Sequence, residues 1–407
     1  MNQAQLETFN LVKSGNNIFI TGAAGCGKSF TLEKIINWAK NDKKYQIAVT
    51  ASTGCASYLI RGRTIHSYLG IGIGKKTAKE LAMNVKSKKP YIVSKLKNLD
   101  ILIIDEISMI NSELLDKISD FLCIIRGSDK PFGGIQIILS GDYCQLPPVS
   151  GKYSFHADIW KKADIKISTL TEQMRQNNDE EFRNILEELR WGGCKNEIYN
   201  RLKKTKKTTF INGITPTVLY SMNIDVDKIN DLKYKTLVDE GAETHTYKRK
   251  NPSSISTKAW VDSYKIPEII ELCVGAQVVL TWNISQDNGL INGSRGVIIE
   301  LTAIGPKVRF LSGLEMVIES FTIKSEECDD IWVSFIPLKL AWASTIHKCQ
   351  GMTLDAVVID LGESIFEYGQ AYTALSRARN LESVMILAIS KNSFKTHKDV
   401  LNFYGKI

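Results

Sequence analysis

The chain has no Cys-x-x-Cys pair, no cluster of histidines and no apolar run long enough for a bilayer, and each absence closes off a class of function. Its eight cysteines (Cys26, Cys55, Cys123, Cys144, Cys194, Cys273, Cys328 and Cys349) are scattered. Scattering of this kind argues against a zinc site and for reduced thiols inside a cell. The five histidines are equally dispersed and offer no metal-ligand set. Without a continuous apolar segment there is no candidate membrane span. The opening Met1-Asn2-Gln3-Ala4-Gln5 has no signal-peptide character. The composition is that of an ordinary globular protein, so a soluble, intracellular protein in a reducing compartment is expected, with no membrane partner.

What is present begins with size and charge. A chain of 407 residues is too long for one small core, and two or three domains are expected. The net charge of +8, from 52 basic and 44 acidic residues, leans toward polyanion partners and equally describes a lysine-rich solvated surface.

Gly22-Ala23-Ala24-Gly25-Cys26-Gly27-Lys28-Ser29 fits the phosphate-loop spacing G-x-x-x-x-G-K-[ST]. Asn17-Ile18-Phe19-Ile20-Thr21 before it reads as a buried strand. After it, Leu32, Ile35, Ile36 and Ala39 recur at helical spacing. The loop therefore sits where a strand turns into a helix, and the free N–H groups of a helix start favour an anion. Gly22, Gly25 and Gly27 let backbone wrap phosphate oxygens, and Cys26 and Phe30 are counted with them as nucleotide-binding positions. Lys28 would reach the β- and γ-phosphates, and the Ser29 hydroxyl can ligate Mg²⁺. A nucleoside triphosphate with Mg²⁺ is the implied ligand.

Short apolar strands recur through the first third: Ile18 to Thr21, Ile47 to Thr50, Ile101 to Asp105 and Ile135 to Asp142. With helical patterns between them they predict a parallel sheet covered on both faces, whose ligands lie beyond the strands' carboxyl ends. Asp105-Glu106 ends the third strand. A carboxylate there needs a partner; a metal held by Asp105 would supply one, leaving Glu106 to polarise water. Gln145, after the fourth strand in Gly141-Asp142-Tyr143-Cys144-Gln145-Leu146-Pro147-Pro148, is either a γ-phosphate sensor or a solvent-facing residue of a Pro-Pro turn. The stretches Ala51 to Ser57, with Thr53 and Gly54, and Gly62 to Tyr68, with Thr64 and His66, suit a sugar-phosphate backbone. Residues 71–98 carry Lys75, Lys76, Lys79, Lys86, Lys88 and Lys89 with little core pattern, and read as a solvated loop or a DNA contact.

A second domain is expected after residue 165. It opens with Thr171-Glu172-Gln173-Met174-Arg175-Gln176, then an amphipathic helix on Phe182, Ile185, Leu186 and Leu189, then a strand at Thr217 to Tyr220. Residues 275–338 alternate like a small β-barrel insert. The α/β pattern resumes with Trp342 to Thr353, Val357 to Asp360 and Tyr372 to Arg379. An arginine from one domain aimed at a phosphate held by another makes hydrolysis depend on closure, and Arg175 and Arg377 are the candidates.

The ordered set of phosphate loop, DEIS, GDYCQLPP, EQMRQ, HKCQGMT and ALSRAR resembles the superfamily-one DNA helicases of the Pif/RecD/Dda-like group, and within it the Pif family. Asp116-Lys117, Arg126 and Lys130-Pro131-Phe132-Gly133-Gly134-Ile135-Gln136 are similar to that family's own signature, and Gly289 to Gly296 also fits. The resemblance covers nearly the whole chain. It implies two RecA-like parallel-sheet P-loop domains in tandem, 1–165 and 166–407, with a wedge insert at 70–98 and an SH3-like β-barrel insert at 275–338. Gln5 matches the family's adenine-reading glutamine. Lys28, Ser29, Asp105, Glu106, Gln145, Arg175, Gln350 with Gly351, and Arg377 match nucleotide-binding and hydrolytic positions. Thr53, Thr64, His66, Thr345 and His347 fall in motifs that contact single-stranded DNA. Cys123 and Cys349 depart from the residues expected at their positions, and the family's variable N-terminal region is expected to be missing.

The function so implied is ATP-dependent movement 5′ to 3′ on single-stranded DNA with opening of forked duplex, in replication, repair or recombination, with a monomer as the expected state. Two alternatives stand beside it: a translocase that strips proteins from single strands, and an ATP-gated binding module without turnover.

Overall fold

The computed structural model describes residues 1–41, 45–72, 74–172, 179–205, 214–254, 257–258, 260–261, 266–282, 284–285, 290, 293–324, 330–351, 354 and 356–405, with the side chains of 55, 58, 59 and 223 set aside. Its contacts group into two units: residues 1–206, 346–354 and 361–407, and residues 207–345 and 355–360.

Six parallel strands form the sheet of the first unit: β1 (Ile18–Thr21), β2 (Ile47–Ala51), β3 (Arg63–Thr64), β4 (Ile101–Asp105), β5 (Gln136–Gly141) and β6 (Lys166–Thr169), in the order β3-β2-β4-β5-β1-β6. Both β1 and β4 are buried at every position, as strands covered on both faces must be. Side chains alternate across the pleat. Ile18 and Ile20 therefore share one face with Ile101, Ile103 and Ile138, against Leu32, Ile35, Ile36 and Ala39 of a helix. Phe19 packs with Tyr143, Trp160 and Phe403, at centroid separations of 5.2, 5.4 and 6.2 Å.

The helices are α1 (Gln3–Lys13), α2 (Lys28–Asn41), α3 (Gly54–Leu59), α4 (Ile65–Leu69), α5 (Ala78–Lys88), α6 (Pro90–Lys97), α7 (Ser112–Arg126), α8 (Asp158–Lys162) and α9 (Glu180–Arg190), followed by others named by residue below. Local signals set the ends of α7: the Asn111 side chain accepts from Leu114 N, and Gly127 closes the helix in the left-handed region at φ 64°. Between these ends Leu115, Ile118, Phe121, Leu122 and Ile125 are buried.

Two expectations change. Residues 71–98 hold a helical hairpin, where little core pattern was expected. Thr77 and Glu80 form a capping box on α5, Pro90 starts α6, and Leu81, Ala82, Val85, Ile92 and Leu96 are buried. Lys86 Nζ donates to Ile124 O, and Arg126 donates to the carbonyls of Leu96, Lys97 and Leu99, satisfying a helix end from α7. The interspersed lysines hid a period of three to four. The division at 165 also falls differently, because β6 pairs with β1 from Ile18↔Lys166 to Thr21↔Thr169 and belongs to the first sheet. The amphipathic helix appears as α9, with Phe182, Ile185, Leu186 and Leu189 buried.

In the second unit, β7 (Thr217–Tyr220) pairs in parallel with Ala343–Thr345 and Val357–Leu361. Gln277–Leu280, Arg295–Leu301, Pro306–Phe310, Glu315–Val317 and Leu338–Leu340 build a five-stranded antiparallel sheet over a core that includes Val278, Leu280, Ile298, Val308 and Phe310. The buried amide of Gln277 bonds Thr215 N and O and Ala341 O, joining this sheet to the entry of β7. No helix among the described residues is long and apolar enough to cross a membrane.

Phe19→Ala empties the centre of the aromatic cluster on β1. It is expected to cost about 3–5 kcal/mol. Urea unfolding followed by tryptophan fluorescence, to which Trp160 beside Phe19 contributes, should show a lower midpoint.

Candidate nucleotide site

The chain leaves β1 at Thr21, and at Gly22 it passes so close to Leu170 that an added Cβ would lie 2.3 Å from the Leu170 carbonyl oxygen, with φ at 146°. Gly25 and Gly27 both have φ of 85°, and α2 begins at Lys28. The amides at this helix start form an anion cradle. Lys28 Nζ folds over the loop and donates to Gly22 O at 2.8 Å and Ala23 O at 3.0 Å. Ser29 and Phe30 are exposed beside it. On α1, Gln5 closes a capping box with Asn2 through its oxygen, while its buried Nε2 has no partner among the described residues. A purine ring nitrogen would accept from such a donor.

Asp105 and Glu106 follow β4 and are both buried. Glu106 is a non-glycine residue in the left-handed region, φ 51° and ψ 47°, which is strained backbone of the kind that clusters at functional sites. Burial pushes the Asp105 carboxyl up. Burial, then repulsion from Asp105, pushes Glu106 up to about 7, against the opposing charges of Lys28 and Arg377 and a hydrogen bond from Gln350. That bond runs from Gln350 Nε2 to Glu106 Oε2 at 3.1 Å, and Gln350 Oε1 is buried without a partner among the described residues. Two desolvated carboxyls suit Mg²⁺, which takes few protein ligands and completes its shell with phosphate and water. Among the described residues no group of three or more His, Cys, Asp or Glu forms a metal cage.

Opposite the carboxyls, the helix Gln370–Leu375 packs against the turn 142–145. A Cβ at Gly369, φ 67°, would lie 2.3 Å from Cys144 O. Arg377 is 2% exposed, and its Nη2 donates to Gln145 Oε1 at 3.3 Å. Burial lowers its pKa, with the Glu106 charge opposing. Gln145 is 3% exposed, which removes the reading of a solvent-facing turn residue.

Asp142, unassigned by sequence reasoning, proves central. Its carboxylate meets Arg190 through two hydrogen bonds, at 3.1 and 3.2 Å, and accepts from Tyr372 Oη at 3.4 Å and Tyr404 Oη at 3.3 Å. Burial raises its pKa, and Arg190, Lys28 and the Cys144 amide together more than reverse this, leaving it below the ordinary value. A carboxylate directly after the apolar β5 was a visible signal. An arginine four residues after Leu186, on the apolar face of α9, was its counterpart.

The remaining candidates are placed as follows. Thr53 Oγ1 accepts from Ala56 N and Thr64 Oγ1 from Ser67 N, so both hydroxyls cap short helices. Pairing of Ala51 with Thr64 brings their strand ends together, with Gly54 exposed and His66 half-buried. Burial lowers the pKa of His66 and of His347. Gly351 is half-buried; Thr345, in the second unit, is buried at the end of its strand. Arg175 lies outside the described residues. The described cysteines, Cys26, Cys123, Cys144, Cys194, Cys273 and Cys349, are free thiols.

A family model described as PIF1-like helicase matches residues 1–199, and one described as DNA helicase Pif1, 2B domain, matches residues 266–301. The ATP-dependent DNA helicase PIF1 of Xenopus laevis is 37% identical over 409 residues, covering 98% of this chain and 63% of that protein. The chain thus spans just under two thirds of that relative's length. The crystal structure of Pif1 helicase from Candida albicans matches with a TM-score of 0.89 at 32% identity, covering 100% of this chain and 99% of that one. The Bacteroides Pif1 helicase in complex with ADP-AlF3 and ssDNA matches with a TM-score of 0.75 at 29% identity, covering 100% and 96%.

In the free protein, a Glu106 carboxyl raised to about 7 stabilises the fold fully below the ordinary carboxyl range, and that contribution is lost as pH rises through about 7. Glu106→Gln stays neutral. Its thermal midpoint relative to the parent is expected to climb between pH 5 and pH 8; a constant or shrinking difference by scanning fluorimetry contradicts the burial argument.

Proposed function

The chain belongs to the PIF1-like helicase family, and from that premise we propose that it is an ATP-dependent DNA helicase moving 5′ to 3′ on single-stranded DNA. The observation that carries the reading is the convergence of Gln350 on Glu106 and of Arg377 on Gln145 beside the Lys28 loop. Those side chains come from widely separated parts of the sequence and have one chemistry in common, the handling of a terminal phosphate and an attacking water.

In this reading the amides of Gly25 to Ser29 and the Lys28 ammonium take the β- and γ-phosphates, and Gln5 reads the adenine with its spare Nε2. Ser29 and Asp105 would hold Mg²⁺, which when bound neutralises phosphate charge. Glu106, ionised above about 7, orients water for attack. Gln350 keeps that carboxylate in place. Gln145 registers the γ-phosphate, and Arg377 stabilises the charge that develops on it. Such an arginine contributes on the order of 10³ to 10⁵ in rate. Arg175 is a second arginine for the same task.

In the first unit Thr53, Gly54, Thr64, His66 and His347 would contact single-stranded DNA through its backbone, and Thr345 of the second unit is a candidate for the same role; backbone contact makes binding salt-sensitive and sequence-tolerant. The Bacteroides relative was solved with both ssDNA and a nucleotide analogue, which supports that ligand pair. We assign the hairpin of α5 and α6 as the wedge at a fork and the antiparallel sheet at 277–340 as the SH3-like insert.

Forked duplexes with a single 5′ or 3′ tail, incubated with ATP and Mg²⁺, test the proposal. The 5′-tailed fork should open and the 3′-tailed fork should stay closed, while Lys28→Ala should open neither and still bind oligothymidylate. The reverse tail preference contradicts the proposal. Removal of a bound protein from single strands with every fork left closed favours the translocase reading instead.

A further inference from the structure

The segment carrying Arg377 meets the first sheet along two rungs. At one, Tyr372 Oη accepts from the Ala24 N–H of the phosphate loop at 2.9 Å and donates to Asp142 Oδ2 at 3.4 Å. At the other, Arg377 Nη2 donates to Gln145 Oε1 at 3.3 Å. The two rungs share both supports. Asp142 and Gln145 belong to one turn, closed by Gln145 N on Asp142 O at 3.0 Å. Arg377 is tied to the helix of Tyr372 by its Nε on Thr373 O at 2.9 Å.

The Asp142 side is itself immobilised. Arg190 forks onto its carboxylate, and Tyr404 Oη bonds Asp142 at 3.3 Å and the Thr21 hydroxyl, at the end of β1, at 2.7 Å. The phenol of Tyr372 is therefore the group that binds, on one side, an amide of the phosphate loop and, on the other, the turn that carries Gln145. An aromatic ring without the hydroxyl would fill the same space and make neither bond.

We propose that Tyr372 is a positioning residue that sets the Arg377 segment at the correct height against the phosphate loop, so that the guanidinium meets the terminal phosphate together with Lys28. Tyr372 touches no reacting atom in this scheme and acts through Arg377. The proposal rests on the assignment of Arg377 to hydrolysis made above.

The test is a double-mutant cycle on the full chain with saturating oligothymidylate. Tyr372→Phe should lower kcat for ATP about tenfold, the fold-change of one buried hydrogen bond worth roughly 1.4 kcal/mol, with KM and the affinity for ADP unchanged. Retained ADP affinity reports an intact loop. On an Arg377→Ala background the same substitution should cost nothing further in kcat. An additive loss overturns the proposal, as does an unchanged kcat. A fall in ADP affinity that accompanies the loss in kcat also overturns it, because the phenol would then be shaping the loop. If Arg377→Ala alone hydrolyses ATP at the parent rate, the assignment of Arg377 fails and the proposal with it, an outcome distinct from additivity.

Discussion

Three carboxyls, Asp105, Glu106 and Asp142, are buried at the carboxyl ends of adjacent strands, and what becomes of their charge organises the first unit. Removing a carboxylate from water is unfavourable by several kcal/mol unless a counter-charge or hydrogen bonds replace the solvent. The protein resolves this in two different ways. Asp142 receives an internal cation, Arg190, with two phenols and a backbone amide besides. Asp105 and Glu106 repel one another, and Lys28 and Arg377 offset their burial only in part. The first arrangement builds a rigid support. The second leaves a site whose electrostatics improve when a divalent cation and a phosphate group arrive.

That contrast links packing to chemistry. The Asp142 centre is supplied by α9, by the helix bearing Tyr372 and by the C-terminal helix Lys398–Tyr404, so elements distant in sequence are pinned to the end of β5. Asp142 is fully buried, and its chain neighbour Tyr143 packs in an aromatic cluster with Phe19, Phe155 and Phe403. In a region of low effective dielectric, an arginine and a lysine near the same carboxylates act strongly on one another.

How much of this was legible in the sequence follows from the range of each interaction. The phosphate loop, the strand ends and α9 rest on local spacing and were readable. The hairpin α5–α6 was not, because lysines at 79, 86, 88 and 89 break up the apolar face of Leu81, Ala82, Val85 and Ile92. Strand β6 is short and half-exposed, with no apolar run to announce it. The contacts of Asp142 with Arg190 and with Tyr372 span 48 and 230 positions, so no local pattern encodes them. For Gln145 the sequence left two readings, and its burial against Arg377 removes the solvent-facing one.

The central claim is that these buried groups form one site completed by a triphosphate. Its most direct test is a structure of the protein with ADP, aluminium fluoride and a short oligothymidylate. The account predicts fluoride at hydrogen-bond distance, about 3 Å, from both Lys28 Nζ and the Arg377 guanidinium. Fluoride bound at the loop with Arg377 Nη2 still donating to Gln145 Oε1 and to Ser376 Oγ, its partners in the free protein, and out of reach would contradict it.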